Sequence, residues 1–316
     1  IGAKEQLRQN LIGTMKSGGM KYPGLIGYDE DVIPALDRAI LSCHDIFLIG
    51  QIGQAKTRLV EVIAKHLLSP IPVIDGSITN DTPMDLPQAD LISLLDGQEP
   101  SGTSPTFHIS PESAKKIQDN KLDTKIHWID GSQRFRYVLA TPDISVKDLV
   151  GYIDAIKVAK KGVEMYKIDS YSPGQLLQAK HGVFCIDELP VLDPRKQVAL
   201  LSVLQEGKYT TGSYPVTFEP KTAFFATANP IDYTHSGKII EPLYDRLKSH
   251  IHTHYPKTIE YEMQIILQEA KIANCLIPVF VLKTLARLVH KARASSDINQ
   301  AKGVSVRLGI HGLELL

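Results

Sequence analysis

Gly50-Gln51-Ile52-Gly53-Gln54-Ala55-Lys56-Thr57 follows directly on the apolar run Asp45-Ile46-Phe47-Leu48-Ile49. A short apolar strand, a loop with two glycines and a Lys-Thr pair opening a helix form an arrangement that holds nucleotide phosphates. Loop N–H groups and the helix N-terminus point at the anion, Lys56 reaches the β- and γ-phosphates, and the Thr57 hydroxyl ligates Mg²⁺. The stretch predicts nucleotide contacts from Gly50, Gln51, Ile52, Gly53, Gln54, Ala55, Lys56, Thr57 and Arg58. Ala55 stands where the pattern G-x-x-x-x-G-K-[ST] has its second glycine. Its methyl crowds the phosphate if the position needs φ > 0, and is harmless if the residue is already helical. An imperfect loop motif standing alone is also compatible with chance, so the decision rests on two strands further along the chain.

About 130 residues downstream, Gly182-Val183-Phe184-Cys185-Ile186 is an apolar strand that runs into Asp187-Glu188. The carboxyl end of such a strand faces the phosphate loop on the ligand edge of an open α/β sheet. Asp187 is then placed for the Mg²⁺ shell, and Glu188 for accepting a proton from a water that attacks the γ-phosphate. On its own a strand ending in two acids can also cap the next helix. Ala223-Phe224-Phe225-Ala226-Thr227-Ala228-Asn229-Pro230 is a third apolar strand, ending in one polar residue. Asn229 would lie beside the γ-phosphate and orient the water; the plainer account is an Asn-Pro turn.

Composition bounds the answer. The 316 residues leave room for one large α/β unit and a smaller one, and no run approaches a membrane span. The 35 basic and 35 acidic residues balance, which argues against a dedicated nucleic-acid binder. Cys43, Cys185 and Cys275 are odd in number and far apart, and read as thiols of a reducing, cytoplasmic compartment. The chain starts on Ile1 and stops within an apparent helix, Leu313-Glu314-Leu315-Leu316, which predicts an excerpt of a longer protein.

Periodicity predicts a lead-in helix over 1–20, helices over 29–42, from the end of the 50–57 loop to about 68 and over 194–205, strands at 45–49, 135–139, 182–186, 223–227 and 250–254, and a short apolar segment at 71–74. A further helix is expected over 143–156, and a hairpin over 209–218 turning at Gly212-Ser213. Residues 75–130 predict an insertion over the domain surface with a hairpin between Phe107 and Trp128, or otherwise a solvated loop. From 257 onward the pattern is helical, with 259–273 and 278–294 clearest. Strands alternating with helices and then a helical tail imply a doubly wound sheet followed by a lid: a core over 21–256 and a lid over 257–316.

In this order the parts resemble the AAA+ ATPases, and within them the MoxR and magnesium-chelatase I-subunit branch. The resemblance implies a P-loop NTPase fold, a parallel-sheet sandwich with a small helical lid. Tyr22-Pro23-Gly24-Leu25-Ile26-Gly27-Tyr28 is similar to the segment those proteins set against adenine, which assigns Ile26 and Gly27 to the nucleotide. Asp187-Glu188 matches Walker B, and Asn229 matches sensor 1. Glu241-Pro242-Leu243-Tyr244-Asp245-Arg246-Leu247 resembles the turn whose arginine serves the neighbouring subunit's ATP, so Arg246 is expected to face outward. Leu247 stands there for the usual phenylalanine. Val304-Ser305-Val306-Arg307 resembles sensor 2, with Arg307 approaching the phosphates from the lid. Ala140-Thr141-Pro142-Asp143 through Gly151, then Tyr171-Ser172-Pro173-Gly174-Gln175, looks like the branch's helix-2 insertion, about 141–175.

The resemblance implies ATP and Mg²⁺ as ligands, a homo-oligomeric, hexameric ring, and a partner protein with a von Willebrand A-type domain that is remodelled or activated for metal insertion. Two other functions stay open: a nucleic-acid motor of a related branch, using the 209–218 hairpin, and a weakly hydrolysing nucleotide-gated scaffold, motivated by Ala55. Three further features carry less. His250, His252 and His254 alternate on one face and could ligate a metal, or simply end a strand. The lysines of 157–161 with Lys167 read as a solvated basic face, and Trp128 as packing.

Overall fold

The computed structural model describes residues 2–98, 106–153, 171–207, 209–210, 217–230, 238–272, 275–298 and 304–315. The expected basic run at 157–167 and the turn at Gly212-Ser213 lie outside them. Five strands form one parallel sheet: β1 (Ile46–Ile49), β2 (Phe135–Leu139), β3 (Val183–Asp187), β4 (Ala223–Ala228) and β5 (Ser249–His252), in the order β5-β1-β4-β3-β2. The inner strands β1 and β4 are buried along their whole length, as a sheet covered on both faces requires.

Side chains alternate across the strands and so divide the core in two. One face sets Ile46, Leu48, Val183, Cys185 and Phe225 against α1 (Ala3–Ser17), α2 (Val32–Leu41) and α3 (Lys56–Leu67). The lead-in helix belongs to this layer through Ala3, Leu7 and Leu11, and ends on Gly18 at φ +67°, a left-handed C-terminal stop. The other face sets Phe47, Phe184, Phe224 and Ala226 against the helices Pro194–Glu206 and Glu241–Arg246. Each fully buried phenylalanine contributes about 1.5–3 kcal/mol relative to exposure.

The C-terminal part is helical, with Ile259–Glu269, Val279–Ala294 and Arg307–Leu315 packed around Ile266, Leu282, Ala286, Val306 and Leu313. A five-stranded parallel sheet followed by helices is the α/β architecture expected from the sequence.

Four local expectations are corrected. Phe107 and Trp128 do not share a hairpin: Ile126–Ile129 pairs antiparallel with Ile71–Ile74, and Thr106–Phe107 pairs parallel with Thr217–Phe218. Nor is the 75–130 stretch a solvated loop, since Gln88–Leu95 and Pro111–Asn120 are helices that enclose Ile74, Leu94, Ile109 and Ile117. Trp128, expected to pack, is 67% exposed, on a strand where Ile129 alone is buried. The helix expected over 143–156 is shorter, Val146–Val150, with a Ser145–Asp148 capping box at its start and Gly151 at φ +99° at its end. The chain there turns into Gly151–Ile153, which pairs with Tyr171–Pro173.

A buried charge cluster anchors this insertion. Lys180 lies just before β3, at the sheet edge opposite Asp187, and its ammonium sits 3.2 Å from Asp81 and 2.8 Å from Asp85. Asp81 also accepts from Ser77, Ser113 and the Ser110 N–H, while His181 Nε2 meets Asp85 at 2.7 Å. The cluster places the insertion away from the phosphate loop.

Candidate functional site

The loop between β1 and α3 is shaped by close approach. A Cβ on Gly50 would fall 1.8 Å from Thr253 Oγ1 and 2.3 Å from Gln54 Oε1, so only glycine fits. Gly53 at φ +80° and Ala55 at φ +53°, ψ 24° curl the chain into the helix. Ala55 therefore occupies the left-handed region that the motif reserves for glycine, at a cost of about 1–2 kcal/mol. Of the two conformations left open by the sequence, the strained one is adopted.

Lys56 is buried in the first turn of α3, and its ammonium donates to Gly50 O at 2.5 Å and Gln51 O at 3.0 Å. Thr57 comes next, half-buried, and Arg58 lies exposed beside Glu61 at 3.5 Å. The loop is tied down from outside by three hydroxyls. Tyr28 donates its hydroxyl to Gln54 O at 2.6 Å, Tyr255 donates to Ile52 O at 2.8 Å, and Thr253 donates to Gln54 Oε1 at 2.8 Å. Gln54 Oε1 also accepts from Gln51 N–H at 3.0 Å.

The carboxyl ends of β1, β4 and β3 lie side by side. Ile49 pairs with Ala228, and Gly50 N–H continues the ladder to Ala228 O at 3.0 Å, which sets buried Asn229 next to the phosphate loop. Ala226 pairs with Ile186, and the Thr227 hydroxyl donates to one oxygen of Asp187. The same Thr227 oxygen accepts from Glu188 N–H at 3.1 Å. Tyr137, on the neighbouring edge strand, donates to the second Asp187 oxygen at 2.7 Å. Burial raises the Tyr137 pKa, and the Asp187 bond raises it further, so it stays a donor. Glu188 itself stands at φ +57°, a left-handed residue that breaks from β3 and re-aims its side chain.

These contacts bring the phosphate loop, Asp187, Glu188 and Asn229 to one edge of the sheet. The segment 22–28 packs against the helix Ile259–Glu269: Gly27, φ +80°, lies with its α-carbon face against the Tyr261 ring, and Gln268 donates to Gly24 O at 2.9 Å. Ile26 beside it is half-buried. Ser305 is the lid's contact with the loop, for a Cβ on Gly53 would lie 2.4 Å from Ser305 Cβ. Arg307, two residues on, opens the last helix with an exposed side chain.

Arg246 lies half-buried at the end of the helix Glu241–Arg246. Its side chain is drawn onto its own chain, where Nε and Nη2 donate to Leu204 O at 2.9 and 2.7 Å and Nη2 to Gln205 O at 3.2 Å. The three histidines also part company. His250 lies edge-on to Phe47 and tilted against Tyr244, and His254 bonds Asp31 at 3.0 Å; among the described residues no cluster of three metal-ligating side chains occurs.

The donor set suits a magnesium nucleotide. A glycine-lined cradle, a lysine at its centre, a hydroxyl at Thr57 and a carboxylate oriented by two hydroxyls match an ion that keeps most of its waters and takes one or two protein oxygens. No helix of the described residues is long and apolar enough to cross a membrane.

Residues 122–247 match the family of AAA domains of the dynein-related subfamily, a stretch that holds Asp187, Glu188, Asn229 and Arg246 and lies downstream of the phosphate loop. The uncharacterized protein YeaC of Bacillus subtilis (strain 168) is 25% identical over 174 residues, 52% of this chain and 50% of that protein. The chain thus spans about half the length of this curated relative. Among solved structures, one chain from the complex between subunits BchI and BchD of magnesium chelatase is similar in fold, with TM-score 0.51 at 18% identity, over 81% of this chain and 68% of that one. NtrX from Brucella abortus in complex with ATP aligns over 96% of this chain and 54% of its own, at 15% identity and TM-score 0.47.

Proposed function

We propose that this chain, whose residues 122–247 match the AAA domains of the dynein-related subfamily, is an ATPase of the MoxR and magnesium-chelatase type that works on a partner protein. The observation that carries the reading is the pair of ties across β1, β4 and β3. Gly50 N–H on Ala228 O and Thr227 on Asp187 draw the phosphate loop, the acidic pair and Asn229 to one edge.

Within this reading each residue has a role. Lys56 exchanges the carbonyls of Gly50 and Gln51 for β- and γ-phosphate oxygens, and the loop N–H groups bind the remaining charge. Thr57 and Asp187 would hold Mg²⁺, which would supply charge neutralisation at the phosphates. Thr227 and Tyr137 keep Asp187 oriented, and Asn229 positions the attacking water. Glu188, turned out of the strand by its left-handed backbone, takes the water's proton. Arg307 reaches the phosphates from the lid, and Arg246 serves a neighbouring protomer in a homo-oligomeric, hexameric ring. The fold likeness to a chain from the BchI–BchD complex supports a partner protein, with a von Willebrand A-type domain as the kind proposed. The domain limits proposed are 21–256 for the core and 257–316 for the lid.

The test is direct. ATP binding by calorimetry and phosphate release should both be present in the wild type. Glu188→Gln should keep the affinity and lose about 10²–10⁴-fold in turnover. A wild type that binds no ATP at millimolar concentration, or a Glu188→Gln turnover equal to wild type, overturns the reading. The ATP-trapped Glu188→Gln protein then serves for light scattering of the assembly and capture of the partner.

A further inference from the structure

Among the described residues the loop is met from this side at two points, one in the link just before the lid and one in the lid itself, and both lead back to one side chain. The first is Tyr255, in the link between β5 and the lid, which donates to Ile52 O at 2.8 Å. Its ring lies under the Arg293 guanidinium, 4.4 Å from Arg293 Cζ. The second is Ser305, packed on Gly53. The residue before it, Val304, offers its carbonyl to Arg293 Nε at 2.6 Å. Arg293 is itself fixed by a fork onto Glu262, Nη1 to Oε2 at 2.6 Å and Nη2 to Oε1 at 2.7 Å. Glu262 is fully buried, with His290 3.3 Å from the same carboxylate. A planar guanidinium is suited to this position, because it can fork a carboxylate, donate sideways to a carbonyl and stack on a ring at once; an ammonium cannot.

We propose that Arg293 is a positioning residue for the phosphate loop, tying the Tyr255–Ile52 and Ser305–Gly53 contacts into one latch so that lid position and loop shape change together. This rests on the reading of 50–57 as the nucleotide loop. Arg293 touches neither the loop nor the nucleotide edge, so its effect on ATP passes through Tyr255 and Ser305. The latch also gives Glu262 a purpose beyond the lid core: it holds the guanidinium flat, so both contacts keep their register.

Tyr255→Phe separates this from simple support of the lid, because it keeps the ring under Arg293 and removes only the bond to Ile52 O. Two readouts are used on the intact protein: hydrogen exchange of the loop amides without nucleotide, and the ATP dissociation constant. Tyr255→Phe should speed loop exchange and weaken ATP by about threefold to tenfold, the share of one hydrogen bond. Arg293→Lys should do at least as much, with the far-ultraviolet circular dichroism unchanged. Adding Tyr255→Phe to Arg293→Lys should cost little more, since both release one latch. Loop exchange and affinity within 1.5-fold of wild type for Tyr255→Phe, or losses that multiply in the double variant, would overturn the latch. A wild type that binds no ATP overturns the nucleotide reading instead, because the exchange readout needs no ligand.

Discussion

Replacing Gly53 by alanine asks the structure for room it does not have. An added Cβ would fall 2.4 Å from Ser305 Cβ and 3.5 Å from Ser305 Cα. Carbon atoms rest about 3.5–4.0 Å apart, so Ser305 must retreat by roughly 1 Å. It is held from behind through Val304 O and Arg293, so the displacement loads a buried ion pair. The backbone adds a second cost, because φ at Gly53 is +80°. A left-handed alanine costs about 1–2 kcal/mol and overpacking about 1–3, which together make about 2–5 kcal/mol. At about 2 °C per kcal/mol for a chain of this size, the melting point should fall by about 4–10 °C. Ser305→Gly in the same chain removes the colliding carbon and leaves the 3.5 Å contact, which is ordinary. A double-mutant cycle read by thermal melting should therefore show a coupling of about 1–3 kcal/mol in favour of the pair. Additive losses, or a Gly53→Ala protein that melts with the wild type, would refute the loop–lid contact.

Ala55→Gly should stabilise slightly, by about 0.5 kcal/mol, because relief of the left-handed strain exceeds the entropy that glycine adds to the unfolded chain. A urea midpoint below wild type would count against the conformation at Ala55. Lys180→Met should destabilise by about 3–5 kcal/mol, since Asp81 would stay buried without its ammonium while Asp85 keeps Lys221 and His181. Faster limited proteolysis within 75–130 would check it. The same cluster predicts a pH dependence. Burial lowers the His181 pKa below its ordinary 6.5, with Asp85 opposing the effect. The unfolded chain then binds the proton more readily, so stability is complete above pH 6.5 and is lost as pH falls from there toward the folded value. His181→Gln should flatten melting temperature against pH below that point; an unchanged slope would assign it elsewhere.

The five parallel strands were legible because each is a short apolar run ended by a polar letter, and the two-sided burial of β1 and β4 makes that pattern strong. The acidic pair and Asn229 were legible for the same reason, as the first polar residues after such runs. The hydroxyls of Tyr28, Tyr137, Thr227, Thr253 and Tyr255 were not. Each acts on a partner far along the chain, as Tyr255 does on Ile52 and Tyr28 on Gln54, and no local spacing encodes such a bond. Ala55 shows a second limit: one letter allowed both a helical and a left-handed backbone, and tertiary fixing of the loop decided between them. The insertion was misread because its core is assembled from residues as distant as Ile74 and Ile117. Its charged anchor joins Asp81 to Lys180 across 99 positions, beyond the reach of any periodicity.

The grip of Arg246 on the end of the helix Pro194–Glu206 has a mechanical consequence. One guanidinium cannot serve two sets of acceptors, so any triphosphate in an adjoining chain must compete with Leu204 O and Gln205 O for it. Surrendering that grip uncaps the helix immediately ahead of Gly207 and the paired strands Tyr209–Thr210 and Thr217–Phe218. In the proposed ring, nucleotide bound in one member would thereby loosen the start of its neighbour's paired strands Tyr209–Thr210 and Thr217–Phe218.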